Sequence, residues 1–123
     1  MTEQQIQQRI RLALSRGPVR LWRNNTGALR DQRGQLVRFG LCEGSSDLIG
    51  YRQVTITPDM VGATIAQFVA VEVKAATGRT TAPQRAFLAT CQAAGAVAGV
   101  ARSEADAAAL LAAPPCRTDT EPV

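Results

Sequence analysis

Asp47, Glu72 and Lys74 are the residues of this chain whose types and spacing can do chemistry. Glu72 and Lys74 stand two apart in the apolar run Phe68-Val69-Ala70-Val71-Glu72-Val73-Lys74, and Lys74 is the only lysine beside thirteen arginines. Arginine is a rigid planar fork, whereas lysine is a compact ammonium whose donors can be aimed at one oxygen or water. A lysine in this one place therefore reads as chosen for geometry. Strand alternation puts Glu72 and Lys74 on one face, roughly 6.6 Å apart along the backbone, while Asp47 opens another strand. Where those strands are neighbours, the two carboxylates converge on one hard cation, which takes oxygen ligands and keeps several waters. The Val73 carbonyl lies between as a third ligand, and Lys74 reaches toward a water or a phosphate oxygen. Such a group polarises a phosphodiester, lowers the pKa of a bound water and holds the nucleophile in line. The plainer reading is a sheet-edge ion pair of Lys74 with Asp47 or Glu72. Against it stand an acid at a strand mouth after Gly44-Ser45-Ser46, an acid inside an apolar strand, and the lone lysine.

Composition narrows the chemistry further. The chain has no histidine, which removes Ser-His-Asp and Cys-His catalysis and histidine-metal nucleases. Its three cysteines, Cys42, Cys91 and Cys116, are odd in number and widely spaced; that is no disulfide framework, and with no imidazole it is no ordinary zinc site. A reducing cytoplasm is expected. No segment approaches the roughly 18 to 20 apolar residues that span a bilayer, and Met1 to Gln5 shows no basic region followed by an apolar one, so neither a membrane anchor nor a secretory signal is expected. The net charge of +4, with arginines dense between Arg9 and Arg38, favours a polyanion as partner, nucleic acid before membrane.

The elements that must position these groups can be read in order. Thr2-Glu3-Gln4-Gln5 is a capping box, with Ile6, Ile10 and Ala13 or Leu14 at helical spacing and Gly17-Pro18 as the stop near Ser15. Val19 to Arg23 alternates as a strand. Asn24 to Arg38, with turn chemistry at Asn24-Asn25-Thr26-Gly27 and Asp31-Gln32-Arg33-Gly34, is expected as a basic loop or irregular hairpin. A short strand begins at Asp47, with Val54 to Ile56 as an extension or continuation, and Pro58 to Gly62 forms a turn or one helical turn. Phe68 to Lys74 is the clearest strand and is expected to be buried. Thr81-Ala82-Pro83-Gln84 is a second capping box, its helix carrying Phe87, Leu88 and Cys91 inward to about Gly95. A buried strand follows over Ala96 to Ala101, then a short helix capped at Ser103 and running through Leu111. The order, α-β-β-β-α-β-α, predicts an α/β fold with a small mixed central sheet flanked by helices. Residues 1–112 are expected as a single domain and 113–123 as a disordered tail.

In this order the residues resemble a known family. Asp47 followed after twenty-four residues by Glu72-Val73-Lys74 is similar to the PD-(D/E)XK nuclease core with its restriction-endonuclease-like fold. The finer pattern resembles the VRR-NUC branch, the virus-type replication-repair nuclease domain: Glu3 with Gln7, Arg23-Asn24 before a glycine, Gly44-Ser45-Ser46-Asp47-Leu48-Ile49-Gly50, Val71-Glu72-Val73-Lys74, Thr81 with Gln84 and Phe87, and Gly99-Val100-Ala101-Arg102-Ser103. Ser46 stands where the wider superfamily has proline, as is common in this branch. The resemblance implies Mg²⁺ or Mn²⁺ held by Asp47, Glu72 and the Val73 carbonyl, with Lys74 orienting or activating the attacking water. It further implies a site glutamine at Gln84 and an acid near the metal at Glu3, although Gln84 also has its capping role and Glu3 also favours a helix first turn by charge alone.

The expected partner is branched or duplex DNA. Arg20, Arg23, Asn24, Arg30, Arg33, Arg38, Ser45, Ser46, Arg79 and Arg85 are the candidate contacts, and phosphate contacts by these arginines bring salt-dependent binding with little sequence choice. Members of this compact size resemble homodimers that cut branched DNA such as four-way (Holliday) junctions, and a phage or prophage origin is expected. The alternatives are a flap or replication-fork nuclease, a restriction-type enzyme that reads sequence, and a DNA-binding or assembly module that keeps the fold without turnover.

Overall fold

Thr2 and Thr81 start two helices in the same way. Thr2 Oγ1 accepts the Gln5 N–H at 3.2 Å and Gln5 Oε1 accepts the Thr2 N–H at 2.9 Å, opening α1, Glu3–Leu14. Thr81 and Gln84 exchange the same bonds at 3.2 and 2.9 Å to open α2, Ala82–Ala93. Each reciprocal pair satisfies two N–H groups that the first helical turn leaves without partners. Ser103 accepts the Asp106 N–H at 3.0 Å and starts α3, Glu104–Ala112.

The computed structural model describes residues 1–115, and the expected C-terminal tail lies, from Cys116 on, outside the described residues. The strands are β1 Val19–Arg23, β2 Gly27–Arg30, β3 Leu36–Phe39, β4 Leu48–Arg52, β5 Val69–Val73 and β6 Val97–Ala101, with a 3-10 turn at Pro58–Met60. The fold is mixed α/β with a nuclease-like element order. Of the loop or irregular hairpin expected over Asn24 to Arg38, the chain forms the hairpin, and its strands β2 and β3 pair in regular antiparallel register. The chain forms two compact units, Met1–Val54 and Thr55–Val123.

In the first unit β1 and β4 pair antiparallel from Val19 opposite Arg52 to Arg23 opposite Leu48. The Asn24 N–H to Asp47 carbonyl bond, 2.8 Å, continues the ladder at one end, and the Gln53 N–H to Pro18 carbonyl bond, 2.7 Å, closes it at the other. Proline has no N–H to return, so the ladder stops there, and Val54 to Ile56 is not a strand. Gly50 is dictated by close approach, since a Cβ at this position would collide with the Arg20 carbonyl. Helix α1 lies against β1, and the Leu21 N–H bonds Ser15 Oγ at 2.9 Å where α1 ends. Between β1 and β4 the chain makes the β2–β3 ribbon, with Gly27 opposite Phe39 and Arg30 opposite Leu36.

In the second unit β5 and β6 run parallel, Val69 opposite Val97 and Val73 opposite Ala101, joined through α2. Among the described residues the buried apolar side chains are Leu88 and Cys91 of α2 with Ala98 and Ala101 of β6, and Gly99 is buried between the last two. Gly99 lets α3 lie close to β6, because a Cβ there would come within 2.8 Å of the Leu110 side chain. Both helices lie against β6, and α2 packs more closely on β6 than on β5, so the burial falls on β6. Val69 and Val73 stay 46 and 73% exposed, which corrects the expectation of a wholly buried strand at Phe68 to Lys74. Phe87 is also 39% exposed rather than inward, since Leu88 and Cys91, three apart, define the covered stripe of α2.

Candidate active site

Glu72 and Lys74 project from β5 and its C-terminal edge as alternation requires. Lys74 Nζ lies 3.4 Å from Glu72 Oε1, and the two side chains are only 19 and 29% exposed. The peptide between Val73 and Lys74 fixes the third group. Its N–H bonds the Ala101 carbonyl at 3.1 Å, and no peptide among the described residues is cis. In a trans peptide the N–H and C=O point in opposite directions, so the Val73 carbonyl is directed away from β6. Parallel pairing thus uses the donor of this peptide and turns its acceptor toward the other edge of β5.

This donor set suits a hard divalent cation: a partly exposed carboxylate and an outward carbonyl, both of them oxygen donors. Among the described residues, no three or more carboxylate or thiolate side chains gather into a metal-holding group. The main-chain oxygen that the β5–β6 register turns outward is the Val73 carbonyl.

The segment after Lys74 is held by a residue whose part was not foreseen from sequence. The Arg102 guanidinium, at the end of β6, donates to the Ala75 and Gly78 carbonyls at 2.6 and 2.7 Å and approaches the Ala76 carbonyl at 3.4 Å. The main-chain N–H of Arg102 is accepted by Asp106 Oδ2 at 2.9 Å. In the sequence Arg102 stands within the Gly99-Val100-Ala101-Arg102-Ser103 pattern, just before the Ser103 cap, and nothing there points to Ala75 or Gly78. A shallow hollow of about 520 Å³ beside this clamp is lined by Thr80, Val100, Arg102, Asp106 and Leu110. Gln84 sits in the first turn of α2 with Oε1 bonded to the Thr81 N–H. Arg85 reaches the Thr80 carbonyl at 2.6 Å, and Arg79 is exposed in the same loop.

In the first unit Asp47 stands exposed at the mouth of β4, immediately after Gly44-Ser45-Ser46. Asn24 and Ser45 are engaged within the protein: Asn24 Nδ2 donates to Ser45 Oγ at 2.7 Å and to the Ser46 carbonyl at 2.9 Å, and Asn24 Oδ1 accepts the Leu41 N–H at 3.0 Å. Ser45 Oγ donates to the Cys42 carbonyl at 2.6 Å. Glu3 is exposed in the first turn of α1.

The ribbon sorts its side chains by face. Cross-strand partners share a face, so Gly27, Leu29, Val37 and Phe39 make an apolar face, and Ala28, Arg30, Leu36 and Arg38 the other. Arg30 also donates to the Gly34 carbonyl at 2.8 Å, and Arg38 lies 3.8 Å from Glu43 with both side chains largely exposed. Arg33 is exposed at the turn and Arg23 at the end of β1, whereas Arg20 is half-buried and donates to the Gly17 and Val19 carbonyls at 2.9 and 2.8 Å.

The VRR-NUC domain model matches residues 1–105 of the 123-residue chain, and the chain belongs to the VRR-NUC family. Its class is accordingly that of nuclease-type, DNA-processing hydrolases. Neither the curated proteins nor the solved structures compared with the chain give a match. No helix among the described residues is long and apolar enough to cross a membrane.

Proposed function

We propose that this VRR-NUC chain is a Mg²⁺- or Mn²⁺-dependent endodeoxyribonuclease that cuts branched DNA, four-way junctions above all, as a homodimer in the cytoplasm of a bacterial host, and that its origin is phage or prophage. Both compact units belong to one nuclease domain over residues 1–112. The observation that carries the reading is the Glu72-Val73-Lys74 geometry in a VRR-NUC chain: a carboxylate and an ammonium 3.4 Å apart on one strand face, with the carbonyl between them turned away from β6.

Asp47, Glu72 and the Val73 carbonyl are the ligands for the cation. When bound, it supplies Lewis acidity at the scissile phosphate. Lys74 donates to the attacking water or to a phosphate oxygen and fixes its approach, a task that suits a rotatable ammonium better than a planar fork. With Oε1 held by Thr81, Gln84 brings its Nε2 donors to a phosphate oxygen or water, and Glu3 acts beside the metal from the first turn of α1. Arg23, Arg30, Arg33, Arg38, Arg79 and Arg85 contact the DNA backbone, which favours shape over sequence. A two-fold pair of such sites faces the two strands that symmetric junction cutting requires.

The test is cleavage of a labelled four-way junction and of a linear duplex of the same sequence in Mg²⁺. The wild type cuts the junction, and Glu72→Gln loses at least about 100-fold in rate. Equal rates for wild type and Glu72→Gln overturn the catalytic reading, and equal cutting of linear duplex overturns the junction preference.

A further inference from the structure

We infer that Asn24 is a positioning residue for Asp47, one that sets the direction of the carboxylate and through it the affinity for the divalent cation; the inference rests on the reading of Asp47 as a metal ligand. Asp47 follows a loop containing Gly44 at φ +84° and is itself exposed. Both peptide planes that meet at its Cα are nevertheless bound to one residue. The plane before it is held at the Ser46 carbonyl by Asn24 Nδ2, 2.9 Å. The plane after it is held at the Asp47 carbonyl by the Asn24 N–H, 2.8 Å. Restraining both planes restrains φ and ψ of Asp47 together and leaves the carboxylate only its own side-chain torsions.

Asparagine is suited to this. Its amide offers two donors and an acceptor, and the structure uses them on Ser45 Oγ, the Ser46 carbonyl and the Leu41 N–H. Ser45 in turn ties the network to Cys42, donating to its carbonyl at 2.6 Å and accepting its N–H at 3.4 Å. The amide thus binds the loop at three points from the end of β1, the strand already paired with β4. Groups that orient a ligand from behind alter metal affinity without touching the metal, by roughly 10-fold to 100-fold when removed.

The experiment is a Mn²⁺ titration followed by electron paramagnetic resonance on the full chain, without DNA, for wild type, Asn24→Ala, Asp47→Asn and Ser45→Ala, with far-UV circular dichroism as the check of folding. Asn24→Ala is expected to weaken Mn²⁺ binding about 10-fold, and junction cleavage by this variant recovers when Mn²⁺ is raised by about the same factor. Ser45→Ala, which removes one hydroxyl of the same network, weakens binding by a factor of about 3 and decides the matter where Asn24→Ala does not fold. Wild-type Mn²⁺ affinity in a folded Asn24→Ala, or in Ser45→Ala where that variant decides, while Asp47→Asn has lost binding, overturns the role of Asn24 and leaves Asp47 a ligand. Wild-type affinity in Asp47→Asn overturns the metal reading of Asp47 and this inference with it.

Discussion

Lys74 Nζ stands 3.4 Å from Glu72 Oε1, across one residue of a single strand. Both side chains are mostly covered, so a change in shape at either is felt more than it would be on an open surface. Lys74→Arg keeps the charge but replaces a compact donor by a planar fork. Its junction-cleavage rate is expected to fall at least about 100-fold, while the far-UV spectrum and the DNA affinity measured without divalent cation stay near wild type. Full activity in Lys74→Arg would show that positive charge alone suffices.

Arg30 and Arg38 share one face of the β2–β3 ribbon. As phosphate contacts, each releases counterions on binding, so Arg30→Gln and Arg38→Gln should each reduce the slope of log K against log salt by about 0.9. The double variant should lose about twice that. Fluorescence anisotropy with labelled duplex across a salt series measures the slopes, and an unchanged slope in the double variant removes the ribbon from the DNA contacts.

Arg102 bonds the carbonyls of Ala75 and Gly78 beyond Lys74. Arg102→Ala leaves those acceptors to water and loosens the segment that follows β5. The loss of charge-assisted bonds is expected to cost about 1 to 2 kcal/mol and to lower Tm by about 5 °C. Both bonds leave the single nitrogen Nη1, so Arg102→Lys, which also carries its donors on one nitrogen, should recover part of the loss, limited by the shorter reach of its ammonium. Thermal unfolding followed by circular dichroism decides this, and a Tm equal to wild type in Arg102→Ala refutes the clamp.

Burial pushes the Cys91 thiol above its ordinary value of 9.0, and the side chain has no exposed surface. The folded chain therefore holds this proton where the unfolded chain has released it. The stabilisation is fully present below about pH 9 and is lost as pH rises through the raised folded value. Urea unfolding at pH 7 and pH 10 should show the midpoint falling at the higher pH, with a smaller fall in Cys91→Ala. Peptide mapping after alkylation at pH 8 should find exposed Cys42 modified and Cys91 protected; equal labelling would contradict the burial.

The parts legible in sequence were those whose cause is local. The boxes at Thr2–Gln5 and Thr81–Gln84 are three-residue relationships, and both helices begin where those residues place them. Alternation gave β1 at Val19–Arg23 and set Glu72 and Lys74 on one side of β5. What escaped depends on partners distant in sequence. The β2–β3 ribbon has strands of four residues, too short for alternation to separate it from a loop. The exposure of Val69 and Val73 follows from which helix lies over which strand, and no spacing in β5 encodes that. Asn24 was legible as a polar residue at a turn, but its bonds to Ser45 and Ser46 cross 21 and 22 positions. Arg102 falls in the Gly99–Ser103 pattern, but it reaches back 27 positions to Ala75, a partner that no local spacing names.

The hydrogen bond that joins Asn24 to Asp47 makes residues 25–46 an excursion that leaves and re-enters the framework at one point. Because closing a loop depends only weakly on its length, the ribbon portion can be shortened, lengthened or exchanged at small cost, provided the stitches to Leu41, Ser45 and Ser46 remain. The ribbon and the carboxylate at its root are thereby separable: a graft between Thr26 and Gly40 would change the ribbon's charged face while Asp47 keeps its place, making this hairpin a natural cassette for varying one surface on a fixed frame.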